Sequence, residues 1–416
     1  MEGYGNRKIA IERYFSVPKE MDELYKKHSI PVRLPDAPYF VEETQDNARR
    51  IEEFASSIEE KLKIRFDAVI SCALCKSNSD SITITKLEVA HGNESDGGGL
   101  DNSEGRRLAS YINANARRSI FINTPGGGTG KLKILFVNDC DMPIQVSINV
   151  EEKGMLNLFE YYASVAKSGS IMAPLHEVHA MKGSEVEISM LHNENEHTKV
   201  ISLIKGDALD NSKLGMNFIY NGATETKAIN ILSSNGDGSR VHVNEIVYGS
   251  GDQKFDINTY IANSKPRSHA LLESGAVLDG NSLCILKGFA DINKWTKGAK
   301  SRITQRGILA SENAHIDALP DMKIHYSDEV SATHSAATSP IDKEVLFYLN
   351  SRGIPEDEAR KLFISAFAMK YMMNISEPFA LELASSIVLG RIEGREFGSL
   401  PELSPKGIWI PVSASR

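Results

Sequence analysis

The feature that most limits the fold of this chain is its long middle region, from about residue 115 to 340. Short apolar or alternating runs recur there between turn residues. Val186–Met190, Val200–Ile204, Val241–Val243 and Phe255–Ile261 are such runs. Asn221-Gly222, Asn235-Gly-Asp-Gly238, Gly249-Ser-Gly-Asp252 and Asp279-Gly280 punctuate them. Alternation at period two predicts strands with one face buried. The intervals are too short and too rich in glycine for crossover helices, which excludes a doubly wound α/β fold. A sandwich, a propeller or a β-solenoid would all satisfy the pattern. No strict repeat chooses among them, and Leu156–Tyr162 fits helix or strand alike.

The flanks read differently. The first ~66 residues predict helices. Ser16 caps one, with Pro18, Glu20, Asp22 and Glu23 in its opening turns. A second places Ile51, Phe54, Ala55, Ile58 and Leu62 on one face. Residues 91–106, acidic and Gly-rich, read as a mobile loop. Near the other end, Ser339-Pro340-Ile-Asp342 reads as a helix start and Gly353 as its left-handed stop. Pro355–Glu358 opens the next helix, with Ala359, Leu362, Phe363, Ala366 and Phe367 as its apolar face. Ser376–Pro378 opens a third, carrying Phe379, Leu383 and Ile387. Residues 397–416 read as a tail.

Several chemistries can be weighed directly. The net charge of −8 argues against nucleic-acid or anionic-lipid partners. No apolar run reaches the ~18 residues of a membrane span, and the first residues lack a signal-peptide apolar region. Four cysteines are too few for a disulfide framework, so the expectation is a cytoplasmic, reduced protein. Cys72-Ala-Leu-Cys75 lies in the run Phe66–Cys75, which reads as a buried strand. With Cys140 and Cys284 isolated, a second pair for zinc is missing. Core cysteines are the reading, and metal or redox use is the alternative.

Pro125-Gly-Gly-Gly-Thr-Gly-Lys131 resembles a P-loop but has Pro125 at its first glycine position and Leu132 where a hydroxyl is needed. It reads as a turn. His176 and His179 would face opposite sides of a strand and cannot share a metal. His192 and His197 flank a polar segment and read as solvated. Lys287, Lys294, Lys297, Lys300, Arg302 and Arg306, with Trp295 among them, read as a solvated β-face, with a patch that holds a single strand or an anion as the alternative. No G-x-S-x-G, spaced acidic metal cluster or dinucleotide fingerprint occurs.

One segment is more specific. It holds Gly298–Ser311, then Leu319-Pro-Asp-Met-Lys-Ile324, Thr333-His-Ser-Ala-Ala-Thr338 and Leu346-Phe-Tyr-Leu-Asn-Ser-Arg-Gly-Ile-Pro355-Glu-Asp-Glu-Ala359. This order resembles the C-terminal third of the SufB/SufD family of iron–sulfur cluster assembly scaffolds. In that family a "gA", "LLLS", "P.LEI", "SHGAT" and "LFYLRSRGI" follow one another. The likeness is concentrated over about residues 290–370, diffuse over 150–290 and not visible in the first ~110. The resemblance implies a mainly β protein, a right-handed parallel β-helix with helical N- and C-terminal segments, and so a strand at Leu156–Tyr162. It divides the chain into an N-terminal helical region (1–66), a strand-rich region holding the β-helix (67–340), a C-terminal helical region (341–396) and a tail (397–416).

It also implies a non-catalytic scaffold working with a SufC-like ABC-type ATPase, which would supply the phosphate-binding loop absent here. Leu346, Phe347, Tyr348, Arg352, Gly353, Ile354 and Pro355 would dock that ATPase. The scaffold would pair as a homodimer or as a heterodimer with a SufB-like chain. His334 would lie at the seam, either as an iron or transient-cluster ligand or as a packing residue. The cysteine of SufB-like members would fall near Ala314, and their acidic residue at Ser335, so the site is SufD-like. The competing readings are a β-helix interaction protein without an iron role and a β-helix or CxxC enzyme.

Overall fold

The structure is a computed structural model that describes residues 29–30, 34–35, 38–40, 43–86, 104–325, 330–396 and 398–399. The helix expected at Ser16, most of the loop at 91–106 and most of the tail lie outside these residues.

The alternating runs wind between two sheets. The first contains β1 (Ala68–Ile70), β5 (Thr129–Asn138), β7 (Met155–Ser164), β9 (Glu185–His192), β11 (Lys213–Tyr220), β13 (Arg240–Gly249), β15 (His269–Leu278), β17 (Lys300–Leu309) and β19 (Ser331–Pro340), in that spatial order. The second contains β3 (Ile82–Lys86), β4 (Arg118–Thr124), β6 (Met142–Val150), β8 (Ser170–Ala180), β10 (Thr198–Ala208), β12 (Glu225–Ser234), β14 (Lys254–Asn263), β16 (Leu283–Ile292) and β18 (His315–Ile324). From β4 onward, consecutive strands alternate between the sheets and each pairs in parallel with the strand one coil away. The result is a parallel β-solenoid of about eight turns with helices towards both ends. Leu156–Tyr162 is strand, inside β7.

One end of the stack is closed by antiparallel additions. The strand β2 (Cys75–Ser77) pairs outside β1, and β3 pairs antiparallel with β4. Phe66–Cys75 is therefore not one buried strand. Ser71–Leu74 form a turn that reverses β1 into β2, with the Ser71 hydroxyl accepting from the Leu74 N–H at 2.8 Å. The four-residue turn Pro125–Gly128 joins β4 to β5, with Gly127 at φ +68°. The glycine-rich word is thus a corner of the solenoid.

Inward side chains fill the space between the sheets with Ile, Val, Leu, Met, Phe and Ala. The outer faces are covered separately. Helix α1 (Gln45–Leu62) buries Ile51, Ala55, Ile58 and Leu62, as its periodicity predicts. The first residues of the expected loop's end, Glu104 onward, instead start α2 (Glu104–Asn115), which packs Leu108 and Ile112 against the outer face of the second sheet. Helices α3 (Lys343–Ser351), α4 (Glu356–Met372) and α5 (Pro378–Ile392) share the outer face of the first sheet with α1, over Phe159, Leu191, Ile219, Ile246 and Val277. That second layer explains why strands such as β13 are buried on both faces in their second half.

Two helix readings shift. Ser339 and Pro340 finish β19, and Asp342 caps α3 by accepting from the Glu344 N–H at 2.8 Å. In α4 the buried face is Ala359, Ile364, Ala368, Tyr371 and Met372, while Leu362 and Ala366 are exposed. Phe363 and Phe367 are half-buried against the same core, so the buried stripe is turned from the expected one towards Ile364, Ala368 and Tyr371. Gly353 does follow α3 with φ +90°.

Stacked corners leave little room. A Cβ at Gly222 would meet the Glu194 backbone nitrogen at 2.2 Å, and one at Gly236 the Asp210 nitrogen at 2.0 Å. Gly222→Ala is expected to destabilise the solenoid by about 3 kcal/mol, the upper range for forced overpacking. Urea unfolding checks this, with Gly169→Ala as a control, since nothing lies within 4 Å of a Cβ there.

Candidate functional site

Register places His334 in a particular column. Leu132 pairs in turn with Leu158, Ile188, Met216, Val243, Leu272, Ile303 and His334. The first seven are apolar and buried in the solenoid interior. Parallel in-register stacking preserves the facing of a side chain, so His334 continues an inward column at the last rung. It is exposed because no further coil among the described residues covers it.

That last rung is the open end of the molecule. Strands β18 and β19 are the terminal strands of their sheets, and β19 is exposed along nearly its whole length. Ala318, Pro320, Ala336 and Thr338 share the facing of His334, by their register with Leu286, Gly288, Gln305 and Gly307. The end is therefore walled by small or apolar side chains, with one imidazole among them. An uncovered edge of this length is a template for another strand.

Below it the interior becomes polar. Glu245, Ser274 and Gln305 stack on successive rungs beneath Ala336. The Ser274 hydroxyl donates to the Glu245 carboxyl at 2.7 Å and the Asn230 amide donates to it at 3.2 Å. Thr259 donates as well. Burial pushes the Glu245 carboxyl above its ordinary pKa, and these donors only partly oppose it. Gln305 Oε1 is buried without a hydrogen-bond partner among the described residues, one rung from the opening. The only cysteine in this half of the chain, Cys284, is fully buried beneath Ile316, and burial raises its thiol pKa well above normal. Ala314, the position matching the cysteine of SufB-like chains, is a buried core residue.

The residues read as a docking surface separate into two sets. Leu346 is only 6% exposed and Ile354 packs with it against the helical core. Phe347 and Tyr348, by contrast, are 75% and 55% exposed. Arg352 lies over the Tyr348 ring at 5.2 Å. Gly353 and Pro355 are exposed in the link between α3 and α4. This aromatic pair follows His334 closely in sequence, on the first helix after β19.

Other polar residues depart from their sequence reading. His192 is not solvated: it is fully buried, stacked between Tyr162 and Tyr220, with Nδ1 2.7 Å from Glu194. His176 is buried against Glu160 at 3.1 Å, whereas His179 is on the outer surface, so the two do not share a ligand. Lys287 does not belong to a solvated face. It is buried with Lys227 around Asp256, at 3.1 and 2.6 Å. Asp256 also accepts from the Ile30 N–H at 2.9 Å, so the segment before α1 lies over this cluster. Cys140 is not isolated either; it forms a disulfide with Cys72.

One of these features left a weak trace in the sequence. Glu245 stands two residues from Val243 and Val247, an inward position by alternation, which marks a buried acid. The Asp256 cluster left none, because its members are 29 and 31 residues apart and meet only through strand register. No helix among the described residues is long and apolar enough to cross a membrane.

Comparison with known proteins adds a family. Residues 140–367 match the SufBD core domain of the SUF system for FeS cluster assembly. Iron–sulfur cluster assembly SufBD family proteins of Staphylococcus aureus strains USA300 and N315 are each 22% identical over 262 residues. The match covers 58% of this chain and 56% of each relative, about half the length of those proteins. A SufBD family protein of Staphylococcus epidermidis is 25% identical over 148 residues, 36% of this chain and 32% of its own.

Proposed function

This chain belongs to the SufBD family of iron–sulfur cluster assembly proteins, and from that premise we propose that it is a scaffold subunit whose open solenoid end is the seam of an assembly complex. The seam partner is a second solenoid chain, either another copy or a SufB-like relative. Its edge strands would extend the sheets beyond β18 and β19, satisfying backbone groups that the last rung leaves open. A nascent iron–sulfur cluster is the cargo of this seam. His334 supplies an imidazole ligand, and thiolates, the usual cluster ligands, come from the partner, since this chain has no cysteine after Cys284.

An ABC-type ATPase of the SufC kind docks on the exposed aromatic pair of α3 and supplies the ATP hydrolysis. Closure of that motor would move α3 and α4 relative to the end strands they adjoin. The Arg360 guanidinium already donates to the Ala310 carbonyl at 3.4 Å, just after β17, so helical motion has a route to the last coils.

The observation that carries this reading is the replacement of a buried apolar column by a single histidine at the uncovered rung. Anaerobic reconstitution of the purified complex with ferrous iron and sulfide tests it. His334→Ala is expected to lose most of the cluster absorbance while the mass of the complex is unchanged. Full cluster loading by folded His334→Ala would leave an interaction protein without an iron role.

A further inference from the structure

At the closed end of the solenoid, opposite His334, the chain brings two sulfurs and a carboxylate together. Cys72 sits in the turn between β1 and β2, and Asp139 and Cys140 in the corner between β5 and β6. Their ligand atoms all lie within 4.8 Å of one another, the one such group of metal-ligating side chains among the described residues. Zinc or ferrous iron, bound at about 2.0–2.3 Å, places any two of its ligands within about 4.6 Å of each other.

The cluster is fixed from several sides. The Cys72 N–H donates to Asp139 Oδ1 at 3.2 Å, which aims the carboxyl at the turn. The Ser71 N–H donates to the Leu74 carbonyl at 2.6 Å, closing that turn. In the corner, Asp141 accepts from the N–H groups of Tyr39 and Ile171 at 2.7 and 2.9 Å. Asp139 and Cys140 are both buried. Burial pushes the Asp139 carboxyl above its ordinary pKa, with the Cys72 N–H and the Arg50 charge opposing it. Cys75, three residues from Cys72, does not join the group; its thiol donates to the Ser71 carbonyl at 3.4 Å.

We propose that in the reduced protein Cys72, Cys140 and Asp139 bind one thiophilic divalent cation, and that the disulfide seen here is the cation-free, oxidised state of the same site. Two thiolates and a carboxylate suit zinc or ferrous iron better than magnesium or calcium. Three protein ligands leave a fourth position for water or an incoming ligand, the arrangement of exchangeable rather than purely structural sites. Binding releases the thiol protons. Oxidation by a small-molecule disulfide reverses it. The two thiolates give up two electrons and join. The oxidant's S–S bond breaks, takes those electrons and two protons, and leaves as two thiols, while the cation departs. The site thus couples metal occupancy to thiol redox state. It tethers the β1–β2 hairpin to the first full coil in either state. The inference rests on residues far from the seam and does not depend on the role of His334.

Cobalt titration of the full-length, reduced chain under anaerobic conditions tests this, with Co²⁺ as the probe. One equivalent is expected to bind with a thiolate-to-cobalt charge-transfer band. Oxidised glutathione should abolish the band and release the cobalt to a chelator dye, an arm that needs no substitution. Cys72→Ser and Cys140→Ser should lose the band, and Asp139→Asn should weaken binding about tenfold or more, at least the effect of losing an outer-shell partner. Cys75→Ser and Cys284→Ser should bind as the wild type does. Far-UV circular dichroism confirms that each variant is folded. The proposal is overturned if the reduced wild type shows no charge-transfer band, if folded Cys72→Ser or Cys140→Ser binds as tightly, or if Cys75→Ser abolishes binding.

Discussion

Replacing Asp256 by alanine is expected to lower the stability of the protein by about 3–5 kcal/mol, the cost of breaking a buried ion pair by removing one partner. Lys227 and Lys287 are each buried with an ammonium within 3.1 Å of that carboxylate, and both would lose the anion they share. The Ile30 N–H would lose its side-chain acceptor, and the Asn258 amide one of its three acceptors. The urea midpoint should fall with little change in m-value. A second variant separates charge from packing. Asp256→Leu combined with Lys227→Met and Lys287→Met should recover most of the loss, because apolar residues of similar volume replace such clusters at little cost.

The pH dependence has a definite sign. Burial opposes ionisation of Asp256, but Lys227 and then Lys287 outweigh it and hold the carboxyl below its ordinary range. The contribution is therefore complete above the unfolded carboxylate pKa, near 3.9. It is lost as pH falls through the lower folded value. The single Asp256→Ala variant should show a shallower acid-side loss of stability than the wild type.

The second large effect concerns the helical surface, and it rests on the proposed ATPase partnership. Phe347→Glu together with Tyr348→Glu is expected to weaken binding of the ABC-type ATPase by about 2–4 kcal/mol, on the order of 30- to 1,000-fold, the range for aromatic hot spots. Both rings are largely exposed, so the unbound chain should keep its helical signal and urea midpoint. Leu346→Ala provides the contrast. It removes a side chain from the core under α3 and should lower stability by about 2–4 kcal/mol. Quantitative pull-down of the co-expressed ATPase, with circular dichroism of each variant, reads both. Unchanged capture by the folded double variant would move the docking surface elsewhere.

The strands were the most legible part of this protein, and their legibility has a physical basis. Each coil must bury alternate side chains, so Val241, Val243 and Val247 mark their own facing within β13. Corners must pass close over one another, so Gly222 and Gly236 mark the turns. Composition could not choose a solenoid over a sandwich, since both bury alternate residues. The resemblance over residues 290–370 made that choice, and the parallel register agrees with it.

What escaped notice was what register alone creates. Cys72 and Cys140 are 68 residues apart and meet because β1 pairs with β5. Lys287 belongs to a surface run in the sequence and to a buried triad in space. His192 sits among polar residues along the chain but between two tyrosine rings across the coils. His334 was singled out by its motif. Its place at the top of an apolar column needed the register of eight strands.

The account turns on the open rung being a junction between two solenoids. A photo-crosslinking amino acid at Ser335, beside His334 on β19, tests this most directly when the full-length protein is irradiated in its native cells. The expected product joins this chain to a second SufBD-family chain, identical or related, through residues of that partner's own end strands. If the probe at Ser335 captures no solenoid chain while the same probe at Phe347 captures an ATPase, the seam does not lie where His334 stands.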